Sequence, residues 1–233
     1  MAGAAEGLLL IDKPSGVTSH DVVDMCRRVY GERSICHLGT LDPFATGLLV
    51  LLFGKATRLA TFIAADPKVY DATVQFGSET DTDDGTGAPT RTGPVPSADA
   101  IRAALPAFTG EIEQVPPAYS AKHVAGQGGR AYAAARRGHP PDLPASRVMV
   151  YRWDIRAVHD RVAEFTVTCG TGTYIRALAR DLGRAVGSAA HLTALRRTRV
   201  GTFDIGDSHT LPEIAASASP PPIRHLRVVA DDA

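Results

Sequence analysis

A chain of 233 residues, 44% of them apolar, can bury a substantial core in one large domain or two small ones. No apolar run approaches the length of a membrane span, and the short run Gly7-Leu8-Leu9-Leu10-Ile11 lacks the length and the preceding basic residues of a signal peptide. The formal net charge is zero but unevenly spread: residues 121–200 hold 14 Lys/Arg against 5 Asp/Glu, whereas residues 1–120 hold 9 against 15. That middle excess is nearly all arginine, whose planar fork suits phosphates and stacks on bases, although a solvated basic surface would read the same way.

In chain order, residues 8–12 are predicted as a buried strand and Lys13-Pro14-Ser15-Gly16 as a turn. Thr18 with Asp21 three residues on has the form of a capping box. Val22, Val23, Cys26 and Val29 then follow helical spacing up to Gly31, with Arg27, Arg28 and Arg33 closing the helix or following it. Residues 36–47 read as a loop. The continuous apolar run 48–53 suits a strand buried on both faces, and 57–65 a short helix.

Residues 69–77 alternate, with Tyr70, Ala72, Val74 and Phe76 on one face and Asp71, Thr73 and Gln75 on the other. An acidic loop is expected at 80–93, a helix at 98–108, a Pro- and Gly-rich loop at 115–130 and a short helix at 131–137. Segments 148–158 and 162–169 suggest a strand pair turning near His159-Asp160. Gly170-Thr171-Gly172 leads into a helix with Ile175, Leu178, Ala179 and Leu182 on its apolar side. Residues 191–203 are a mixed segment with Arg196, Arg197 and Arg199, and the tail is Pro- and Ser-rich. Strands separated by helices and hairpins give an α+β class with a mixed, mostly antiparallel sheet and no visible domain boundary.

Several functional classes fall away. Cys26, Cys36 and Cys169 are widely spaced with no C-x-x-C, which fits a reducing, cytoplasmic setting and argues against a disulfide framework or a zinc site. Gly54-Lys55-Ala56-Thr57 fails as a phosphate loop, because Leu49 and Ala56 stand where glycine and a hydroxyl residue are needed. Asp81-Thr82-Asp83-Asp84-Gly85 fails as a calcium loop, with Thr92 at the position of the closing glutamate. Gly126-Gln127-Gly128-Gly129 reads as a flexible loop. Neither G-x-S-x-G nor H-E-x-x-H occurs. No metal and no cofactor are expected.

One lone carboxylate stands out. In Cys36-His37-Leu38-Gly39-Thr40-Leu41-Asp42-Pro43-Phe44-Ala45-Thr46-Gly47 the nearest other acidic residues are Glu32 and Asp66. Proline fixes its own φ and pushes the preceding residue towards an extended conformation, so Asp42 could be presented rigidly. A turn aspartate bonding nearby backbone N–H groups has the same appearance.

The wider pattern separates these. Gly39-Thr40-Leu41-Asp42-Pro43 with Ala45-Thr46-Gly47 resembles the signature of the TruB family of tRNA pseudouridine synthases. Ile11-Asp12-Lys13-Pro14, with Thr18-Ser19 after it, resembles the family's opening motif. Lys68-x-Tyr70, Gly77 and Thr80-Asp81-Thr82-Asp83 resemble its second. Pro116-x-x-Tyr119-Ser120-Ala121-Lys122 and Arg130-Ala131-Tyr132 resemble its tRNA-contacting segment. Gly172-Thr173-Tyr174-Ile175-Arg176 and His191-x-x-x-Leu195-Arg196-Arg197 complete the order. Six short motifs in the family order span residues 7–203.

The resemblance implies a pseudouridine synthase fold, with an active-site cleft across the sheet and an RNA-contacting insertion around 80–140 in a catalytic domain of residues 1–210. It implies isomerisation of the T-arm uridine, tRNA position 55, to pseudouridine without cofactor or metal, after the base has been extruded. Asp42 is then the catalytic residue, as nucleophile or as a base at C2′. Arg176 would pair with that aspartate, Tyr70 would stack on the uracil, and Leu195 would close its pocket. His37 would wedge into the RNA loop vacated by the base. Lys13 and Arg58 match positions that support the site or touch RNA, and Asp84 a loop aspartate bonding near the base. Lys122, Arg130 and Arg197 join the RNA-contacting set.

Departures are Cys36 where the family often has glycine, His123 where lysine is common, and a longer loop at 126–130. Residues 211–233 are expected to form a short tail with no room for the RNA-binding PUA domain of many relatives. The expected partner is tRNA, the expected state a monomer. The alternatives are a guide-RNA-dependent synthase subunit and a tRNA-binding or tRNA-folding protein.

Overall fold

The structure, a computed structural model, describes residues 6–63, 65–120, 122–124, 129–138, 141–216 and 221–224. The chain packs as two compact units, Met1–Ala65 with Arg196–Ala233, and Asp66–Leu195.

In the first unit Gly7–Lys13 and Thr46–Phe53 run antiparallel in unbroken register, from Gly7 opposite Phe53 to Lys13 opposite Gly47. Ile35–His37 lies antiparallel along the Phe53 end of the second strand, and Arg196 and Arg197 lie parallel to Thr46 and Gly47 at its start. His209–Thr210 pairs parallel with Ile11 and Asp12. Both long strands are apolar at nearly every position because both faces are covered. Leu9, Ile11, Leu49, Leu51 and Phe53 pack with Val22, Val23 and Cys26 of the helix Ser19–Tyr30 and with Leu211 and Ile214. The alternate residues Leu8, Leu10, Leu48, Val50 and Leu52 point the other way, onto Leu38, Ala56 and Val200.

The helix Ser19–Tyr30 has the expected start. Thr18 Oγ1 accepts from the Asp21 N–H at 3.0 Å, the Asp21 carboxylate accepts from the Thr18 N–H at 2.8 Å, and Gly31 (φ 64°) ends the helix. The helix expected at 57–65 is instead the 3₁₀ turn Gly54–Leu59. Ala56 is the buried residue of that turn and Phe62 is 82% exposed, while Ala60 and Ile63 are half-buried against the core beyond it. The expected tail begins as the helix Leu211–Ala216, whose Leu211 and Ile214 join the core.

In the second unit the strand order is Lys68–Phe76, Val162–Cys169, Ser146–His159, Gly110–Gln114. Lys68–Phe76 alternates as expected, burying Tyr70, Ala72, Val74 and Phe76, with Tyr70 opposite Val167. The hairpin turn at His159-Asp160 is present, with Asp160 at φ 50°. Trp153 stands edge-on to Phe165 and Phe108, at 5.4 and 6.0 Å between ring centroids. The helix Ile175–Ala185 buries Ile175, Leu178, Ala179 and Leu182, as its spacing predicts.

Three expectations here need correction. The acidic loop 80–93 is a hairpin of Ser78–Thr80 with Pro89–Thr92, hidden in the sequence because every residue of the second strand is exposed and none alternates. The helix expected at 98–108 is α-helical only over Ala98–Ala104; Pro106, which has no N–H to donate, falls in the 3₁₀ turn that follows. The mixed segment 191–203 is largely the strand Ala190–Val200. Pairings are mostly antiparallel, with parallel ones at His209–Thr210 and at Arg196–Arg197. No helix among the described residues is long and apolar enough to cross a membrane.

Candidate functional site

Asp42 is half-buried, on the loop between Ile35–His37 and Thr46–Phe53, with buried Leu41 and Ala45 near it. The loop is fastened through its main chain. Ser19, the first residue of its helix, donates its hydroxyl to Leu41 O at 3.1 Å and accepts from the Leu41 N–H at 2.9 Å. The Gly16 N–H reaches Pro43 O at 2.8 Å, Ser15 Oγ reaches Phe44 O at 3.0 Å, and the Ala45 N–H returns to Asp42 O at 3.1 Å. Lys13 Nζ donates to Pro14 O and Val17 O, both at 2.9 Å, and to Pro43 O at 3.4 Å. From another side Arg197 donates to Leu48 O at 2.8 Å, Gly39 O at 3.1 Å and Thr40 O at 3.5 Å.

Gly47 closes this arrangement. At φ 106°, a Cβ on it would stand 2.3 Å from Arg197 O, so no other residue fits without moving the strand that carries Arg197. Lys13 and Arg197 are 0% and 1% exposed. Burial draws the Lys13 ammonium down to about 8, opposed by the charge on Asp42 and assisted by Arg197. The loop thus holds one carboxylate on a fixed frame beside two buried cations. Such a group can attack a substrate carbon or remove a proton. Beside it Arg196 grips Asp12 with two bonds of 2.6 and 3.1 Å.

The second unit gathers the other candidates. Arg176 is the second residue of the helix Ile175–Ala185 and is 3% exposed. Its guanidinium donates to Thr82 O and Tyr119 O, both at 2.8 Å, and lies 3.8 Å from Asp84. The helix has no side-chain cap of its own at Tyr174. Gln114 serves that residue from a neighbouring strand, accepting from the Tyr174 N–H at 2.8 Å and donating to Tyr174 O at 3.1 Å. Arg180 and Arg184 continue the row at i+4 and i+8. Arg180 bonds Asp83 at 2.9 Å, Asp181 at 2.8 Å and Val115 O at 2.9 Å, while Arg184 grips Glu79 with two bonds, one of them 3.0 Å. Burial pushes Asp83 up to about 6 against the pull of Arg180 and Arg176. Asp84 accepts from Thr82 Oγ1 at 2.8 Å and from the Thr86 N–H at 2.9 Å. Tyr70 and Leu195 are buried, each 7% exposed.

The first unit therefore brings Lys13, Asp42 and Arg197 together, and the second brings Arg176 beside Asp84. Lys13, Asp84 and Arg197 are all buried, and their polar atoms bond within the protein. Arg58 is exposed at the end of its turn and His37 is half-buried. Lys122 is half-buried and bonds Ser146 Oγ at 2.8 Å. Arg130 pairs through its backbone with His123, and its side chain lies outside the described residues. Sequence reasoning missed Gln114, Arg180, Arg184, Glu79, Asp83 and the Asp12–Arg196 pair. The i+4 spacing of the helix arginines was a readable signal; their partners, about a hundred residues away, left none.

Known proteins resolve which family the chain belongs to. A chain in the crystal structure of a Cbf5-Nop10-Gar1 complex is similar at a TM-score of 0.70 and 30% identity, over 90% of this chain and 54% of that one. This chain thus spans about half the length of that solved relative. The fold is the α+β pseudouridine synthase fold. Residues 27–175 match the family profile described as TruB family pseudouridylate synthase (N terminal domain), and residues 176–220 the tRNA pseudouridylate synthase B C-terminal domain. Proteins named tRNA pseudouridine synthase B are similar: one from Arthrobacter sp. (strain FB24), 49% identical over 90% of this chain and 70% of its own length. Another, from Gluconacetobacter diazotrophicus, is 50% identical over 91% and 69%. The chain belongs to the TruB family of pseudouridylate synthases.

Proposed function

We propose that this chain isomerises the T-arm uridine of tRNA, position 55, to pseudouridine, with Asp42 acting on the flipped-out nucleotide. The observation that carries this reading is the Asp42 loop, held through its main chain by Lys13, Ser19 and Arg197. Family membership and the names of the similar curated proteins support it.

In this reading the N1–C1′ bond breaks, the uracil turns while bound, and C5 joins C1′ with loss of its proton. Nothing is oxidised or hydrolysed. Asp42 acts as nucleophile at C1′ or as base at C2′. Tyr70, Arg176 and Leu195 receive the base; Tyr70 offers a ring to stack on it. His37 fills the gap that the extruded base leaves in the RNA. Arg58, Lys122 and Arg130 meet the tRNA backbone. Lys13, Arg197 and Asp84 position other groups. The expected state is a monomer, and tRNA as substrate supports a cytoplasmic setting.

The test is tritium release from an unmodified tRNA transcript labelled at uridine C5, with Asp42→Asn in parallel. Release by the wild type alone, lost when the T-arm uridine is changed to cytidine, is the expected result. tRNA bound without release would instead make this a tRNA-binding protein.

A further inference from the structure

The capped start of the helix Ser19–Tyr30 does two separate jobs with two adjacent residues. Thr18 closes the capping box with Asp21 and serves the helix alone. Ser19 contributes nothing to that box. Its side chain is 2% exposed, turned away from the helix, and its hydroxyl is committed in both directions to one residue, Leu41, as donor to the carbonyl and acceptor from the N–H. Leu41 is itself buried and immediately precedes Asp42. A hydroxyl is the smallest group that can do both at once. The bonds of Lys13, Gly16 and Ser15 fall on Pro43 and Phe44, and those of Arg197 on Gly39, Thr40 and Leu48. Between them, Ser19 fixes the peptide groups on either side of Leu41.

We infer that Ser19 is a positioning residue for catalysis: it fixes the main chain next to Asp42 and so sets where that carboxylate stands. The inference rests on the assignment of Asp42 above. Ser19→Ala removes both bonds without adding bulk and leaves the Leu41 N–H and C=O without this partner. A displacement of the order of 1 Å at a reacting group is enough to cost about a hundredfold in rate.

Two measurements test this on the full chain. In the first, single-turnover tritium release and tRNA affinity are measured for wild type, Ser19→Ala, Ser19→Thr and Thr18→Ala. The expected result is a fall of roughly ten- to a hundredfold in the single-turnover rate of Ser19→Ala, with tRNA affinity within about twofold. Ser19→Thr keeps the hydroxyl and recovers most of the rate. Thr18→Ala melts earlier, because it has lost its helix cap, yet turns over at the wild-type rate. A Ser19→Ala rate equal to wild type would overturn the inference. So would an equal slowing of Thr18→Ala, which would make the effect one of helix stability.

The second measurement does not depend on turnover. Hydrogen exchange at the Leu41 amide should be slow in the wild type and at least about tenfold faster in Ser19→Ala. Unchanged exchange would overturn the inference even in an active enzyme. Faster exchange in Ser19→Ala, where the wild type itself releases no tritium, would sink the proposed activity while upholding the Ser19 clamp on Leu41.

Discussion

The Asp42 loop and the hairpin 78–92 are both secured by cations, buried in every case but Arg184, and to different parts of the chain. In the first unit Lys13 and Arg197 donate to backbone carbonyls, and Ser19 bonds backbone as well. In the second, Arg180 and Arg184 meet the carboxylates of Asp83 and Glu79, and Arg176 stands near Asp84. A frame bonded through its main chain tolerates change in the side chains it displays. A frame bonded through charged side chains does not, because the loss of either partner leaves the other buried and unbalanced.

The largest expected effect lies in the first loop and is purely chemical. Asp42→Asn should lower tritium release by roughly a thousandfold while the melting temperature stays near that of the wild type. Melting together with inactivity would show that the frame depends on the displayed side chain after all. Next is Gly47→Ala, which touches the frame itself. With φ at 106° and Arg197 O in the way, it should cost about 3 kcal/mol or more in urea unfolding.

In the other unit Asp83→Asn should cost about 2 kcal/mol, below the usual cost of breaking a buried pair. Arg180 keeps Asp181 and Val115 O, and asparagine tolerates the φ of 59° at this position. A neutral outcome would mean that the hairpin, like the Asp42 loop, is held by its backbone.

The smallest effect is a titration. Lys13 binds its proton less tightly folded, at about 8, than unfolded, at its ordinary 10.5. The unfolded chain therefore holds more protons between those values, and stability gains from Lys13 as pH rises through them. Relative to Lys13→Met, the wild type should become more stable from pH 8 to 10.5. Its turnover should decline as pH rises through about 8, where the folded amine loses a donor to the loop. A constant stability difference between the two proteins across that range would contradict the burial of a charged Lys13.

What could be read in advance follows from range. The capping box at Thr18, the alternation from Tyr70 to Phe76 and the apolar side of Ile175–Ala185 are local patterns, and each appears where expected. Lys13 and Arg197 look like surface cations in a sequence. Only the folded chain shows that the carbonyls of Gly39, Thr40 and Pro43 converge on them. The hairpin at 78–92 was illegible for the opposite reason: its second strand buries nothing, so no periodicity marks it. Asp42 itself was legible as a lone carboxylate before proline, but its frame was not.

The row formed by Arg176, Arg180 and Arg184 has a consequence for how tRNA would be held. Binding to a polyanion is driven largely by the release of condensed counterions, roughly 0.7–0.9 per phosphate neutralised. An arginine already bonded to a carboxylate or carbonyl inside the protein releases none. The excess counted over residues 121–200 therefore overstates the cations left to meet phosphates. The dependence of tRNA affinity on salt should be correspondingly shallow, with shape and the unstacked base contributing what charge does not.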